Sequence, residues 1–263
     1  MTIVLIAIAL YLLATAMLVG GVRQQPPRTS RLWLLPAWVA VLLHGLAHLL
    51  AWHQAGGADL HFYAALSLVG LGMATLTALV GGGGRMAALG VIVFPLAALT
   101  LFGYQHHGHI IAERLDWRLQ LHAWFALLAY ATLAIAALLA VMLWLQERAL
   151  RRREFHQWLR ALPPLVELET LLFRTIAVGF ALLTATLLTG VLFVESLFAQ
   201  HLVHKTVLSV LSWLVFGGLL LGRWRYGWRG GTAVRWTLVA MALLVLAFFG
   251  SKFVLELVLG RPA

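Results

Sequence analysis

Eleven histidines stand in a chain without a single cysteine. Any metal or cofactor iron would therefore be held by imidazole, methionine sulfur, carboxylate or backbone oxygen, and attachment through a thiolate is excluded. His44 and His48 are four residues apart in "LLHGLAHLL", the spacing that stacks two side chains on one face of a helix. His122, in "LQLHAWFALL", and His204, in "LVHKTVLS", each stand at the head of an apolar run. Neutral imidazole is a good axial ligand for haem iron, and a bis-histidine site needs two rings on different helices facing each other at matched depth. His122 and His204 meet the depth condition, and His44 or His48 offers a second level below them. Gly45, between the latter two, leaves room for a flat ligand or a neighbouring helix. The other histidines of that side, His53, His61, His106, His107, His109 and His201, read as solvated loop residues. The three in "HHGH" lack the fourth ligand that a zinc or copper site would want.

The elements that must carry these residues are membrane helices. The chain of 263 residues is 62% hydrophobic and 11% charged, with a mean hydropathy of +0.93, more apolar sequence than a water-soluble core absorbs. Crossing about 30 Å of hydrocarbon takes roughly 18 or more apolar residues in a helix. Eight runs qualify, at about 2–20, 33–52, 62–81, 86–104, 121–145, 171–194, 206–222 and 232–259. The expected fold is all-α: a polytopic transmembrane bundle forming a single domain over 1–263, with a basic, interfacial segment at 146–170 that Pro163 and Pro164 interrupt. His44 then lies roughly 12 Å below Trp52 in the second run, and His48 about half as deep. An imidazole so placed is expected to face the bundle interior.

Orientation follows from the cations, because short cytoplasmic loops retain Lys and Arg. Alternate connections gather fourteen of them on one side, from Arg23, Arg28 and Arg31 through Arg85, the 148–174 group and Arg223 to Arg235. The opposite side keeps five: Arg114, Arg118, Lys205, Lys252 and Arg261. Both termini are therefore expected outside, with every histidine except His156 in or near the outer leaflet. The first run fits this, since its charge follows it, in "GGVRQQPPRTSR", instead of preceding it as in a signal peptide. The net charge of +10 reads as an orientation and headgroup signal. The expected partners are the lipid bilayer and other membrane proteins, with no nucleic acid.

Lys252 and Glu256, one turn apart near the outer end of the last run, form a favourable pair, and Lys252 is a candidate contact for a haem propionate or substrate. Arg174 is expected to snorkel to headgroups, and "GRWRYGWRGG" at 222–231 to form an interfacial belt. "GGGGR" is a hairpin without a Walker pattern.

The segment "LQLHAWFALLAYATLAIAALLAVMLWLQERAL", with Ala129-Tyr130 a turn or two after its histidine, resembles the CcsA-like family of cytochrome c assembly proteins. "HKTVLSVLSWLVFGGLLLGR" is similar to another family helix, keeping Lys205, Thr206 and Trp213. The strings "LPPL", "LLFR", "HKTVLS" and "GSKFVLE" resemble its shorter HemX/YpjD-like inner-membrane branch. The resemblance implies a multi-pass protein of the bacterial inner membrane that handles haem b at the periplasmic face. It implies His122 and His204 as the paired ligands, and other cytochrome assembly proteins as partners. The family's tryptophan-rich, Asp-ending motif is missing: "FVESLFAQHLVHK" has no Trp, and Asp116-Trp117 falls in another loop. Two other functions compete. A transporter would want broken helices and polar residues at the midplane, whereas only Pro36 and Pro95 fall within the runs. A noncatalytic accessory subunit would keep the fold without the haem. No hydrolytic or redox constellation is present to make the chain an enzyme of those classes.

Overall fold

The computed structural model describes residues 1–23, 31–81, 87–107, 116–153, 162–193 and 203–258. Its helices are α1 (Thr2–Arg23), α2 (Leu34–Ala55), α3 (Phe62–Gly81), α4 (Ala87–His106), α5 (Trp117–Arg151), α6 (Leu165–Phe193), α7 (Val203–Tyr226) and α8 (Gly230–Val245). Past Val245, α8 runs on through two π-helical stretches, Leu246–Gly250 and Phe253–Val258. All eight expected runs are helices long and apolar enough to cross a membrane, and no strand occurs among the described residues. The helices overrun the apolar runs because their polar ends stay hydrogen-bonded as helix; α5 starts four residues before Leu121 and reaches Arg151. His106, expected in a loop, closes α4. The interfacial segment divides: Gln146 to Arg151 continue α5, Leu165 onward begins α6 directly after Pro163 and Pro164, and 154–161 lie outside the described residues.

The chain gathers into two compact units. The first comprises Met1–Arg114 with Leu150–Pro164, and its helices α1 to α4 pack α1 on α2 and α4, and α3 on α2 and α4. Small and aromatic residues fill it: Ala7, Ala51, Ala64, Leu101 and Tyr104 form one buried cluster, and Trp33 packs on Phe94 and over Gly81. In lipid, helices associate through such close packing and through interhelical hydrogen bonds, since apolar burial alone favours no partner. Gly56, at φ 73°, ends α2 in the left-handed conformation and returns its N–H to Trp52 O.

The second unit comprises Leu115–Ala149 with Leu165–Ala263. Trp213 Nε1 donates to Thr184 Oγ1 at 2.8 Å and stacks on Phe180, joining α7 to α6. Ser212 Oγ donates to Ala240 O at 2.8 Å, joining α7 to α8. The Tyr130 hydroxyl of α5 donates to Leu244 O, where α8 turns into its first π stretch. These cross-links make the unit antiparallel, so the start of α5, the end of α6, the start of α7 and the end of α8 share one end.

Candidate functional site

At that shared end, the His122 Nδ1 lies 3.2 Å from Thr189 Oγ1. Thr189 has one hydroxyl proton, and it is directed at helix carbonyls, Ala185 O at 2.8 Å and Thr186 O at 3.0 Å. Toward the imidazole the hydroxyl oxygen therefore accepts, which places the ring proton on Nδ1 and the lone pair on Nε2. A hydrogen bond at the distal nitrogen is the usual means of orienting a metal-binding histidine. Gly190 completes the seat: a Cβ there would stand 3.2 Å from His122 Cε1, so only a glycine lets the ring lie against α6 without displacement.

His204 occupies the second position of α7 and is exposed. Lys205, next to it, interacts electrostatically with Lys252 and Glu256 from the end of α8. Lys252 Nζ bonds Glu256 Oε1 at 2.8 Å, as expected from their spacing, and sits over the Phe248 ring at 5.5 Å. One end of the second unit thus collects a seated imidazole, an exposed imidazole and two ammonium groups facing one carboxylate. A planar dianionic tetrapyrrole would draw on both features, ring nitrogens for its iron and ammonium groups for its carboxylates.

The opposite end carries a group the sequence did not single out. Glu169, 2% exposed, accepts from Arg223 Nη1 at 3.3 Å, from Arg229 Nε at 3.1 Å and from the Gly230 N–H at 3.3 Å. The bond to Glu169 pushes the Arg229 guanidinium pKa further up. Arg223 also lies over Phe173 at 4.7 Å. The "GRWRYGWRGG" segment is therefore two things: Trp224 and Tyr226 are exposed as a belt would be, while Arg223 and Arg229 clamp a buried carboxylate. Arg174 is exposed, in line with snorkelling.

His44 and His48 lie in the first unit. Both are buried, at 0% and 1% exposure, as the cost of an imidazole in lipid requires. They share one partner: His44 Nε2 and His48 Nε2 stand 2.9 and 3.0 Å from Ser67 Oγ on α3. His44 Nδ1 lies 3.2 Å from the Tyr11 hydroxyl on α1. Both nitrogens of His44 are thus engaged. His61 departs from expectation: it is buried, and its Nδ1 bonds Asp59 Oδ1 at 2.6 Å. A lone carboxylate two residues ahead, in "ADLH", was the available signal. His53, His106 and His107 are exposed as expected, with His107 stacked on Tyr63. His109, His156 and His201 lie outside the described residues.

Eight helices among the described residues, each long and apolar enough to cross a membrane, define a polytopic membrane protein. The chain belongs to the cytochrome c assembly protein family, whose sequence pattern matches residues 27–259 and so reaches into both units. It is 32% identical to the inner membrane protein YpjD of Escherichia coli (strain K12) over 260 residues, covering 97% of this chain and 98% of that one. An uncharacterized 28.8 kDa protein from a nifR3-like 5′ region of Azospirillum brasilense is 41% identical over 144 residues, 54% of this chain and 53% of its own. Protein HemX of Brevibacillus brevis is 25% identical over 131 residues, 49% and 48% of the two chains. No solved structure gives a significant match.

Proposed function

We propose that this chain is a multi-pass protein of the bacterial inner membrane that binds haem b at its periplasmic face, with His122 and His204 as axial ligands and Lys252 toward a propionate. The carrying observation is the Thr189 hydroxyl on His122 Nδ1, which leaves Nε2 as the ligating atom. His204, exposed at the same end of the unit, supplies the second imidazole. Membership of a cytochrome c assembly family supports haem as the ligand, and the relative's designation as an inner membrane protein supports the location. The fourteen-to-five distribution of cations supports a periplasmic orientation for this end. Bound haem would supply a redox-active iron; the protein's own part is to hold the rings, orient them and neutralise the carboxylates. His44 and His48 belong to a separate arrangement, because Ser67 and Tyr11 already occupy the His44 nitrogens.

The second reading is an accessory subunit that keeps the fold and has lost haem, favoured by the missing Trp in 193–205. The absorption spectrum of detergent-purified protein separates the two. Sharp reduced-state bands of low-spin haem are expected, and a protein that stays colourless after incubation with haemin would contradict the proposal.

A further inference from the structure

The first unit contains a hydrogen-bonded string that the haem reading does not use. Its members come from three helices: Tyr11 on α1, His44 and His48 on α2, and Ser67 on α3. All four are at most 1% exposed to solvent. Such a cluster is costly to keep in a membrane interior unless each group is satisfied, and apolar side chains of similar size would pack this core without it.

The order of the string decides what it can do. Ser67 has one hydroxyl proton and an imidazole nitrogen on either side, at 2.9 and 3.0 Å. It must donate to one ring and accept from the other, and nothing in the four groups fixes which. With the hydroxyl directed at His44, His48 carries its proton on Nε2 and His44 donates from Nδ1 to the Tyr11 oxygen. With it directed at His48, every bond reverses. A chain with two equivalent polarities is the physical requirement for passing a proton along it.

Toward the α2–α3 loop, the Tyr104 ring stacks on His48 at 4.3 Å and lies 5.9 Å from the His61 ring. His61 receives orientation from Asp59 through its Nδ1, and its Nε2 is buried with no hydrogen-bond partner among the described residues. A carboxylate-held imidazole with its second nitrogen turned inward is suited to take up a proton and hand it on.

We propose that Tyr11, His44, Ser67 and His48 form a proton wire into the middle of the first unit, loaded from the Asp59–His61 pair across Tyr104. The step balances without a further reactant. A proton carried on His61 Nε2 passes to the Tyr104 hydroxyl as that hydroxyl's own proton passes to His48 Nδ1. The His48 Nε2 proton then passes to Ser67 Oγ as the serine's own proton passes to His44 Nε2. His48 returns to neutral, and the charge rests on His44, whose Nδ1–H donates to the Tyr11 oxygen. The reverse sequence returns it.

The test is the exchange of the His44 ring proton with bulk water, followed by NMR on ¹⁵N-histidine-labelled full chain in lipid nanodiscs. Ser67→Ala is expected to slow exchange at His44 by roughly tenfold or more, the scale of one lost hydrogen-bonded link, while leaving His48 unchanged. Ser67→Thr, which keeps a hydroxyl, is expected to retain fast exchange. His61→Gln should slow both rings. Backbone amides of α2 report the fold: if Ser67→Ala perturbs them, the Thr and Gln variants decide. An unchanged His44 rate in Ser67→Ala with intact amides, or unchanged rates at both rings in His61→Gln, overturns the wire. None of these outcomes depends on haem, so the reading of the second unit stands or falls separately.

Discussion

The Thr189 hydroxyl, with its proton directed at helix carbonyls, accepts from His122 Nδ1, and in the proposed haem site that bond would hold the imidazole with Nε2 available to iron. Thr189→Val keeps the shape and removes the acceptor, so His122 is free to protonate Nε2 and turn. Haem affinity is expected to fall by about 10–100-fold, the usual effect of losing such an orienting partner, as read by haemin titration of the purified variant. His122, His204, His44, His48 and Lys252 stand out in the sequence as candidates, because imidazoles and an ammonium group in apolar runs are rare and expensive. Thr189, Ser67 and Tyr11 were not. Hydroxyl residues are common in membrane helices, and nothing local ties Thr189 to a ring 67 residues away or Ser67 to two rings on another helix. His61 differs from its solvated expectation for the same reason: only the folded loop buries it against Asp59.

Among the elements, Glu169 ties the start of α6 to the end of α7 and the start of α8. Burying the Glu169 carboxylate is tolerable because two guanidinium groups and a backbone N–H meet it. Glu169→Ala removes the acceptor they share, and both cations can turn to water. A loss of about 1–3 kcal/mol is expected, seen as a lower melting temperature in detergent. An unchanged melting temperature would mean the clamp does not hold the unit. π-turns weaken regular helix bonding and concentrate at functional sites, and here one lies just before Lys252. Tyr130 donates to Leu244 at the entry to it, which gives the Ala129-Tyr130 pair a structural role. Tyr130→Phe is expected to cost about 1 kcal/mol and to loosen Lys252, so that accessibility of that amine to an acylating reagent rises; equal labelling of both proteins would refute the coupling. The helices were legible from apolar length alone. Their ends were not, because helix continues beyond the hydrocarbon wherever the polar flanking residues keep their backbone bonds.

At the scale of the molecule, the distribution of Lys and Arg predicts both termini outside. A reporter active only in the periplasm, fused after Ala263, is expected to be active, and one active only in the cytoplasm is expected to be silent. The opposite pattern would put the His122 end on the cytoplasmic side and remove the basis for handling haem outside. The eight membrane-length runs were legible in the sequence; the division into two units was not, since apolar length does not say which helices pack together. The proposed pair of imidazoles is tested by the reduced-minus-oxidised spectrum of haem-loaded wild type beside His122→Ala and His204→Ala. Neither side chain is needed to span lipid, so both variants should insert and purify as the wild type does. Low-spin bis-histidine bands are expected in the wild type, and their loss in each single variant. A low-spin spectrum that survives in both variants would show that these two imidazoles do not hold the iron.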